Sequence, residues 1–210
     1  MRLRQSRRTS YIDFMARKTV STRSVRGKKA RVLSSRVVYR GPVFHVTNDQ
    51  VREPGGYTAR RDMIRHSGSV VVMPVEQRGK EPHVLLVRQY RHAAGQDLWE
   101  LSAGRIDPGE ETLAAAKREL EEETGFRAAH WKRILLFYSS PGFLDETMAV
   151  FMATDLQPGP ARPEEDEVIS KRFFPLSSAL RMVRQGRIKD GKTVAGVLYL
   201  AAFPPSASRS

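Results

Sequence analysis

The chain has 210 residues, of which 40% are hydrophobic and none is cysteine, and its formal net charge is +13. This length suits one ordinary domain with a small appendage. The lack of cysteine excludes disulfides, thiolate metal sites and cysteine nucleophiles. No apolar run reaches the length of a membrane span, so the sequence predicts a soluble or at most peripheral protein without a membrane partner.

The positive charge is concentrated near the N-terminus. Residues 1–48 contain 13 lysines and arginines and a single acid, Asp13, whereas the other residues have 23 basic and 22 acidic groups. We therefore divide the chain into a basic, disordered arm (1–31), N-terminal antiparallel strands (32–66), a main domain (67–203) and a tail (204–210). Three strands without a covering core are marginal alone, so we expect residues 32–66 to form a homodimer interface.

Three interpretations of the basic arm stay open. In the first, the arm is a solvated extension with Met15 as an alternative start, and we expect a cytoplasmic protein. In the second, the arm is a targeting peptide, since it is rich in arginine and poor in acids, and the protein is organellar. In the third, the arm contacts RNA or an anionic membrane, although only Tyr11 and Phe14 lie among its charges. We expect a nucleic acid as partner only through this arm.

Periodicity and turn residues predict the elements in chain order. Strands are expected first over 32–39, 43–47 and 57–64, separated by Gly41-Pro42 and Pro54-Gly55-Gly56. The main domain then has expected strands over 69–74, 84–90, 98–101, 134–138, 148–154 and 168–175. Helices are expected over 114–124, 177–185 and 193–203. The mixed order predicts an α/β fold, or α+β with a mixed sheet and helices on its faces.

The segment from Gly104 to Phe126 carries the strongest pattern. It reads G-x5-E-x7-R-E-U-x-E-E-x-G-U, where U is apolar, with seven positions fixed by identity and two by apolarity. A chance match in a chain of this length is rarer than about one in a million, given average residue usage. The spacing therefore carries more information than the glutamate content alone.

The same segment predicts a helix that bears a metal site. Thr112 is the expected N-cap, and Gly125 is expected to end the helix in the left-handed conformation. Glu119, Glu122 and Glu123 stand at i, i+3 and i+4, so their carboxylates share one face and repel one another. A divalent cation relieves this repulsion, and hard oxygen ligands suit Mg²⁺ or Mn²⁺. A solvated, glutamate-rich helix is the alternative, but it does not explain the full spacing.

Four further motifs flank this segment. They are Arg88-Gln89-Tyr90-Arg91, Trp99-Glu100-Leu101-Ser102-Ala103-Gly104, Ser140-Pro141-Gly142-Phe143-Leu144-Asp145-Glu146 and Glu164-Glu165-Asp166-Glu167. The central segment resembles the Nudix box. The ordered set resembles the ADP-ribose pyrophosphatase branch of the Nudix hydrolase family, over roughly residues 32–200.

The resemblance implies a fold and a reaction. The fold is an α/β/α sandwich with a small antiparallel N-terminal sheet, and the protein is a homodimer that exchanges its N-terminal elements. The reaction is metal-dependent hydrolysis of the diphosphate bond of a nucleoside diphosphate sugar, with ADP-ribose giving AMP and ribose 5-phosphate. Another nucleotide sugar such as GDP-mannose, a non-catalytic nucleotide- or RNA-binding module, and an RNA-end hydrolase remain as alternatives.

The resemblance also implies residue roles. Mg²⁺, or Mn²⁺, is held by the carbonyl of Ala103 and by Glu119, Glu122 and Glu123, of which the last two also count as catalytic. The substrate is contacted by Arg91, on its diphosphate, and by Glu100 and Glu146. The loop and helix are held in shape by Gly104, Glu110, Arg118 and Gly125. Ser102 stands where the branch usually has proline, which frees φ and adds a hydrogen-bond donor.

The catalytic base is assigned through the resemblance to Glu165, in the late acidic run. Glu164 and Glu167 are rivals, because an alignment shift of one or two residues exchanges them. Glu146 is a further candidate, either as the base or as a contact to the substrate ribose. The acidic run also has an ordinary interpretation as a solvated loop.

Overall fold

The computed structural model describes residues 29–159 and 170–204. Most of the basic arm, the acidic run from Glu164 to Glu167 and the tail from residue 205 lie outside the described residues. The proposed base Glu165 is therefore not placed by the structure. Within the described ranges, no helix is long and apolar enough to span a bilayer.

Three strands form the separate antiparallel sheet that the sequence predicts near the N-terminus: β1 (Arg31–Arg40), β2 (His45–Arg52) and β3 (Thr58–Arg65). The second strand starts later and extends further than its predicted range of 43–47. Its polar stretch is kept in the sheet by cross-strand bonds, because Asn48 donates to Asp62 at 2.5 Å and Ser35 donates to Asp49 at 2.6 Å.

The main sheet has seven strands and is mixed, as expected. They are β4 (Ser69–Arg78), β5 (Glu81–Arg91), β6 (Gln96–Glu100), β7 (Ser102–Arg105), β8 (Phe126–Tyr138), β9 (Thr147–Pro158) and β10 (Ser170–Pro175). The order is β10-β5-β4-β9-β8, with β6 beside β5 and β7 beside β4, and the β4–β9 pair is parallel. A short 3-10 turn, His92–Ala94, joins β5 to β6.

In the described part of the chain, three helices cover the two faces of this sheet: α1 (Thr112–Thr124), α2 (Leu176–Arg184) and α3 (Gly191–Ala202). Side chains of β4 alternate between the faces, as the pleat requires. One face joins the cluster of α1, which includes Val70, Val72, Ala115, Ala116 and Leu120. The other joins the cluster of α2 and α3, which includes Val71, Met73, Met182, Val197 and Leu200. The predicted α/β/α sandwich is thus confirmed.

Several predicted strands of the main domain end too early, since β4 runs to Arg78 and β9 to Pro158, and two further boundaries are wrong as well. Strand β8 begins at Phe126 rather than at residue 134, because it pairs with β9 from Phe126–Pro158 to Tyr138–Thr147. Ser102–Arg105, for which no strand was predicted, forms β7 by pairing with the start of β4. In both cases a neighbouring strand imposes extended backbone where the local periodicity is weak.

The ends of α1 follow the predicted pattern at one end only. Gly125 has φ 66° and its N–H bonds the Glu121 carbonyl at 2.8 Å, so the left-handed end is confirmed. The N-cap is Glu111 rather than Thr112, which is the first helical residue. The entry to the helix is instead organised by Glu110, whose carboxylate accepts the Asp107 N–H at 3.1 Å.

Candidate active site

A cleft with a volume of about 460 Å³ opens where β7, α1 and the first turn of α3 meet. Most of the residues singled out in the sequence line it, namely Arg91, Ala103, Gly104, Arg118, Glu119, Glu122, Glu123 and Glu146. Glu110 and Gly125 shape the helix that forms one wall. Glu100 lies beneath the cleft.

Arg118 ties the loop before α1 to the helix. Its guanidinium forks onto Glu110 at 3.1 and 3.0 Å, and its Nη1 also donates to Glu119 at 2.6 Å and to Glu122 at 3.1 Å. The Arg118 hydrogen bonds hold the pKa of Glu110 below its ordinary value. The bonds to Glu110 are also the largest cause of the raised pKa of Arg118. Arg118 therefore remains charged and acts as counter-ion to the carboxylates of the helix.

Gly104 is required by the position of Glu119. A β-carbon at residue 104 would overlap the carboxylate of Glu119, so only glycine lets the helix carboxylate lie against the backbone of β7. Ala103, next to this contact, lines the cleft as well. The contact therefore brings the carboxylate oxygens of Glu119, on α1, next to the backbone of β7.

The residues on this wall fit a hard divalent cation by their donor chemistry. Glu119, Glu122 and the buried Glu123 face the cleft beside Ala103, and carboxylate and carbonyl oxygens are the ligands that Mg²⁺ and Mn²⁺ prefer. In the described part of the chain, no three acidic or histidine side chains form a ready chelating group. Arg118 Nη1 lies between Glu119 and Glu122, so a bound cation would have to take over part of its role.

A buried carboxylate supports two cations that also line the cleft. Glu100 is 1% exposed and accepts a fork from Arg91 at 3.0 and 2.9 Å and a bond from Lys192 at 2.5 Å. Burial by itself raises the pKa of Glu100, but the bonds and charges of Arg91 and Lys192 outweigh it and hold the pKa below the ordinary value. Arg91 and Lys192 both line the cleft, so Glu100 fixes two positive charges towards it.

Lys192 was not identified from the sequence. It lies in the first turn of α3, whose N-cap Asp190 accepts the N–H of Thr193 at 3.0 Å and its hydroxyl at 2.5 Å. The Thr193 hydroxyl in turn accepts the N–H of Leu101 at 2.8 Å, which anchors α3 beside Glu100. The Asp190-Gly191-Lys192-Thr193 stretch signals a helix start. It does not signal which distant residues that start will meet.

Glu146 is held from two sides. Its Oε1 accepts the Ser69 hydroxyl at 2.6 Å, and its Oε2 accepts the Ser139 hydroxyl at 2.8 Å. The carboxylate lines the cleft in this fixed orientation.

Ser102 is buried beneath the helix wall, where its hydroxyl donates to the carbonyl of Glu119 at 3.4 Å.

Comparisons with known proteins agree on one family. The model of the NUDIX domain matches residues 65–196. The chain is 37% identical to an ADP-ribose pyrophosphatase of Mycobacterium tuberculosis (strain ATCC 25618 / H37Rv), over 81% of this chain and 82% of that protein. It is 33% identical to a GDP-mannose pyrophosphatase of Citrobacter koseri (strain ATCC BAA-895 / CDC 4225-83 / SGSC4696), over 74% of this chain and 85% of that protein. The crystal structure of an ADP compounds hydrolase shares the fold, with a TM-score of 0.73, 24% identity and coverage of 83% of this chain and 94% of that one.

Proposed function

The chain belongs to the Nudix family of hydrolases, and from this premise we propose that it hydrolyses the diphosphate bond of a nucleoside diphosphate sugar, with ADP-ribose as the first candidate. One observation carries the proposal. Three glutamates of α1 and two cations held by Glu100 line the same cleft. A diphosphate needs positive charge on its oxygens, and a metal site needs carboxylates, so the two walls suit the two parts of the reaction.

The metal would be held by Glu119, Glu122, Glu123 and the carbonyl of Ala103. When bound, Mg²⁺ or Mn²⁺ would neutralise charge on the diphosphate and lower the pKa of a coordinated water. The contact between Gly104 and Glu119 supports this assignment, because the Glu119 carboxylate lies directly against the backbone of β7 and leaves no room for a side chain at residue 104.

The other residues have roles that follow from their chemistry. Arg91 forks onto phosphate oxygens, and Lys192 adds a compact second charge. Glu146, fixed by two hydroxyls, accepts a hydrogen bond from a substrate hydroxyl or from water. Glu165 is our proposed base for the water that attacks phosphorus in line, with Glu164, Glu167 and Glu146 as alternatives. Cleavage of ADP-ribose in this way yields AMP and ribose 5-phosphate.

We also propose that the protein is a homodimer that associates through its N-terminal sheet. Every residue of β1 is exposed, and this strand presents five large apolar side chains to solvent, namely Val32, Leu33, Val37, Val38 and Tyr39. Val43 and Phe44, in the turn between β1 and β2, are exposed as well. An exposed apolar surface of this kind is typical of a contact site. A second copy of the same sheet would cover it.

The test is hydrolysis of a substrate panel: ADP-ribose, ADP-glucose, GDP-mannose, NADH, diadenosine polyphosphates and capped RNA. Each is offered with Mg²⁺, with Mn²⁺ and with EDTA, to the full chain and to a chain lacking residues 1–28. Metal-dependent release of AMP from ADP-ribose, well above the other substrates and unaffected by the truncation, is the expected result. Preference for GDP-mannose would change the substrate but keep the reaction, and no turnover of any substrate would refute the proposal.

A further inference from the structure

The N-terminal sheet is joined directly to the loop that carries Glu146. This loop, residues 139–146, connects β8 to β9. The N–H of Ile64, at the end of β3, donates to the carbonyl of Phe143 at 2.7 Å, and the N–H of Asp145 donates to the carbonyl of Ile64 at 3.2 Å. The end of β3 therefore continues as a backbone partner of the loop.

Arg65, the last residue of β3, strengthens this junction with its side chain. It donates to Thr47 at 3.2 Å and to Asp49 at 2.5 Å, both on β2, and to Asp145 Oδ2 at 3.2 Å on the loop. Asp49 is only 2% exposed and also accepts the Ser35 hydroxyl at 2.6 Å. One guanidinium thus spans from a buried carboxylate of the sheet to a carboxylate of the loop.

The other oxygen of Asp145 completes the link. Asp145 Oδ1 accepts the N–H of His66 at 2.8 Å, so the carboxylate is held at both oxygens. The next residue is Glu146, whose two oxygens are held by Ser69 and Ser139. The ring of His66 lies 3.8 Å from Glu146, and its Nδ1 accepts the N–H of Gly68 at 3.0 Å.

We propose that Arg65 is a positioning residue for the reaction: through Asp145 it sets the place of Glu146 in the cleft, and it couples the N-terminal sheet to that carboxylate. Among the described residues, the side-chain bonds of Arg65 go to Thr47, Asp49 and Asp145, and Arg65 does not line the cleft. Its effect passes through two consecutive loop residues, so a change in the sheet, including association with a second copy, reaches the active cleft. The inference rests on the proposed function, because Glu146 must matter for turnover.

The first test is a double-mutant cycle. Arg65→Met keeps an unbranched apolar stem and removes the guanidinium with its three bonds. The matched control is Arg60→Met, on the same strand but 66% exposed and paired only with Asp62 among the described ion pairs. We expect Arg65→Met to lower kcat/KM about 10- to 100-fold, as misplacement of a catalytic group does, and Arg60→Met to leave it unchanged. In a Glu146→Gln background, Arg65→Met should have no further effect. Arg65→Lys, which keeps a positive charge beside Asp145 without the guanidinium fork, should recover part of the loss.

Additive losses in the cycle, or equal behaviour of Arg65→Met and Arg60→Met, would overturn the inference. If Arg65→Met does not fold, Asp145→Asn breaks the same link from its exposed end and enters the same cycle.

Hydrogen–deuterium exchange gives a reading that does not depend on turnover. Amides of residues 139–146 should exchange faster in Arg65→Met than in Arg60→Met, and unchanged exchange would exclude the coupling. A wild-type chain without activity on any nucleotide sugar would refute the proposed function, while the exchange result would still decide the coupling.

Discussion

Replacing Glu100 with glutamine tests whether one buried charge organises the cation side of the cleft. Glutamine keeps the volume, so the change leaves no cavity, but it removes the negative charge shared by Arg91 and Lys192. Lys192 has a side chain that is 7% exposed and would keep only Asp190, at 3.0 Å. Arg91 is 40% exposed and can be rehydrated in part.

The expected cost follows from this geometry. Removing one partner of a buried ion pair costs about 3–5 kcal/mol of unfolding free energy. Because Asp190 remains and Arg91 reaches solvent, we expect the lower end, about 3 kcal/mol. The matched control is Glu121→Gln, which breaks a similar fork with Arg127 at 2.9 and 2.5 Å. The Arg127 side chain is 68% exposed and that of Glu121 is 30% exposed, so this fork is far better hydrated than the one at Glu100. An exposed pair of this kind contributes at most about 1 kcal/mol.

The measurement is urea-induced unfolding of the wild type and both variants across pH. The folded pKa of Glu100 is depressed, so its contribution is complete above the unfolded pKa of about 4.3 and is lost as pH falls from there through the folded pKa. The difference in unfolding free energy between wild type and Glu100→Gln should therefore become smaller as the pH falls below about 4.3. A loss no larger than that of Glu121→Gln, or a gap independent of pH, would refute the reasoning. We also expect kcat/KM to fall, since Arg91 and Lys192 lose their fixed positions.

The remaining predictions concern the proposed metal ligands on α1 and the proposed homodimer. Glu122→Gln or Glu123→Gln should lower kcat by about 100-fold or more with thermal unfolding unchanged, and near-normal turnover in either would exclude the metal assignment. Gly104→Ala should displace the Glu119 carboxylate and weaken Mn²⁺ binding measured by calorimetry; wild-type affinity would show that this contact is not part of the site. Light scattering should give twice the chain mass of 23.8 kDa, and Val37→Asp should give a monomer; a monomeric wild type would exclude the dimer.

Much of the carboxylate side of the cleft, formed by Glu119, Glu122 and Glu123, was predictable because its information is local. Glu119, Glu122 and Glu123 are brought to one side by helix geometry, and Gly125 ends that helix where its conformation is least costly. Gly104, Glu110 and Arg118 were also placed by spacing within one short segment. The Nudix family follows from the same segment, and its fold from the order of apolar strands and helices around it.

The grouping of Arg91 and Lys192 around Glu100 depends on the tertiary structure. Lys192 and Glu100 are 92 positions apart, and no pattern near Lys192 reveals that α3 begins against the end of β6. Glu100 was expected to contact substrate, yet packing places it beneath the cleft with its charge satisfied by Arg91 and Lys192. The N-cap at Glu111 and the early start of β8 likewise depend on partners elsewhere in the fold.

The sequence by itself determined the family, the class of fold and the residues that a helix brings together within a few turns. The tertiary structure decided that Arg91 and Lys192 meet at Glu100, and it tied Arg65 on the N-terminal sheet to the loop of Glu146 over 80 positions. The physical reason is that helical periodicity and capping act over a few residues. Burial of Glu100 beside Arg91 and Lys192, and of Asp49 beside Arg65, exists only once distant segments have packed.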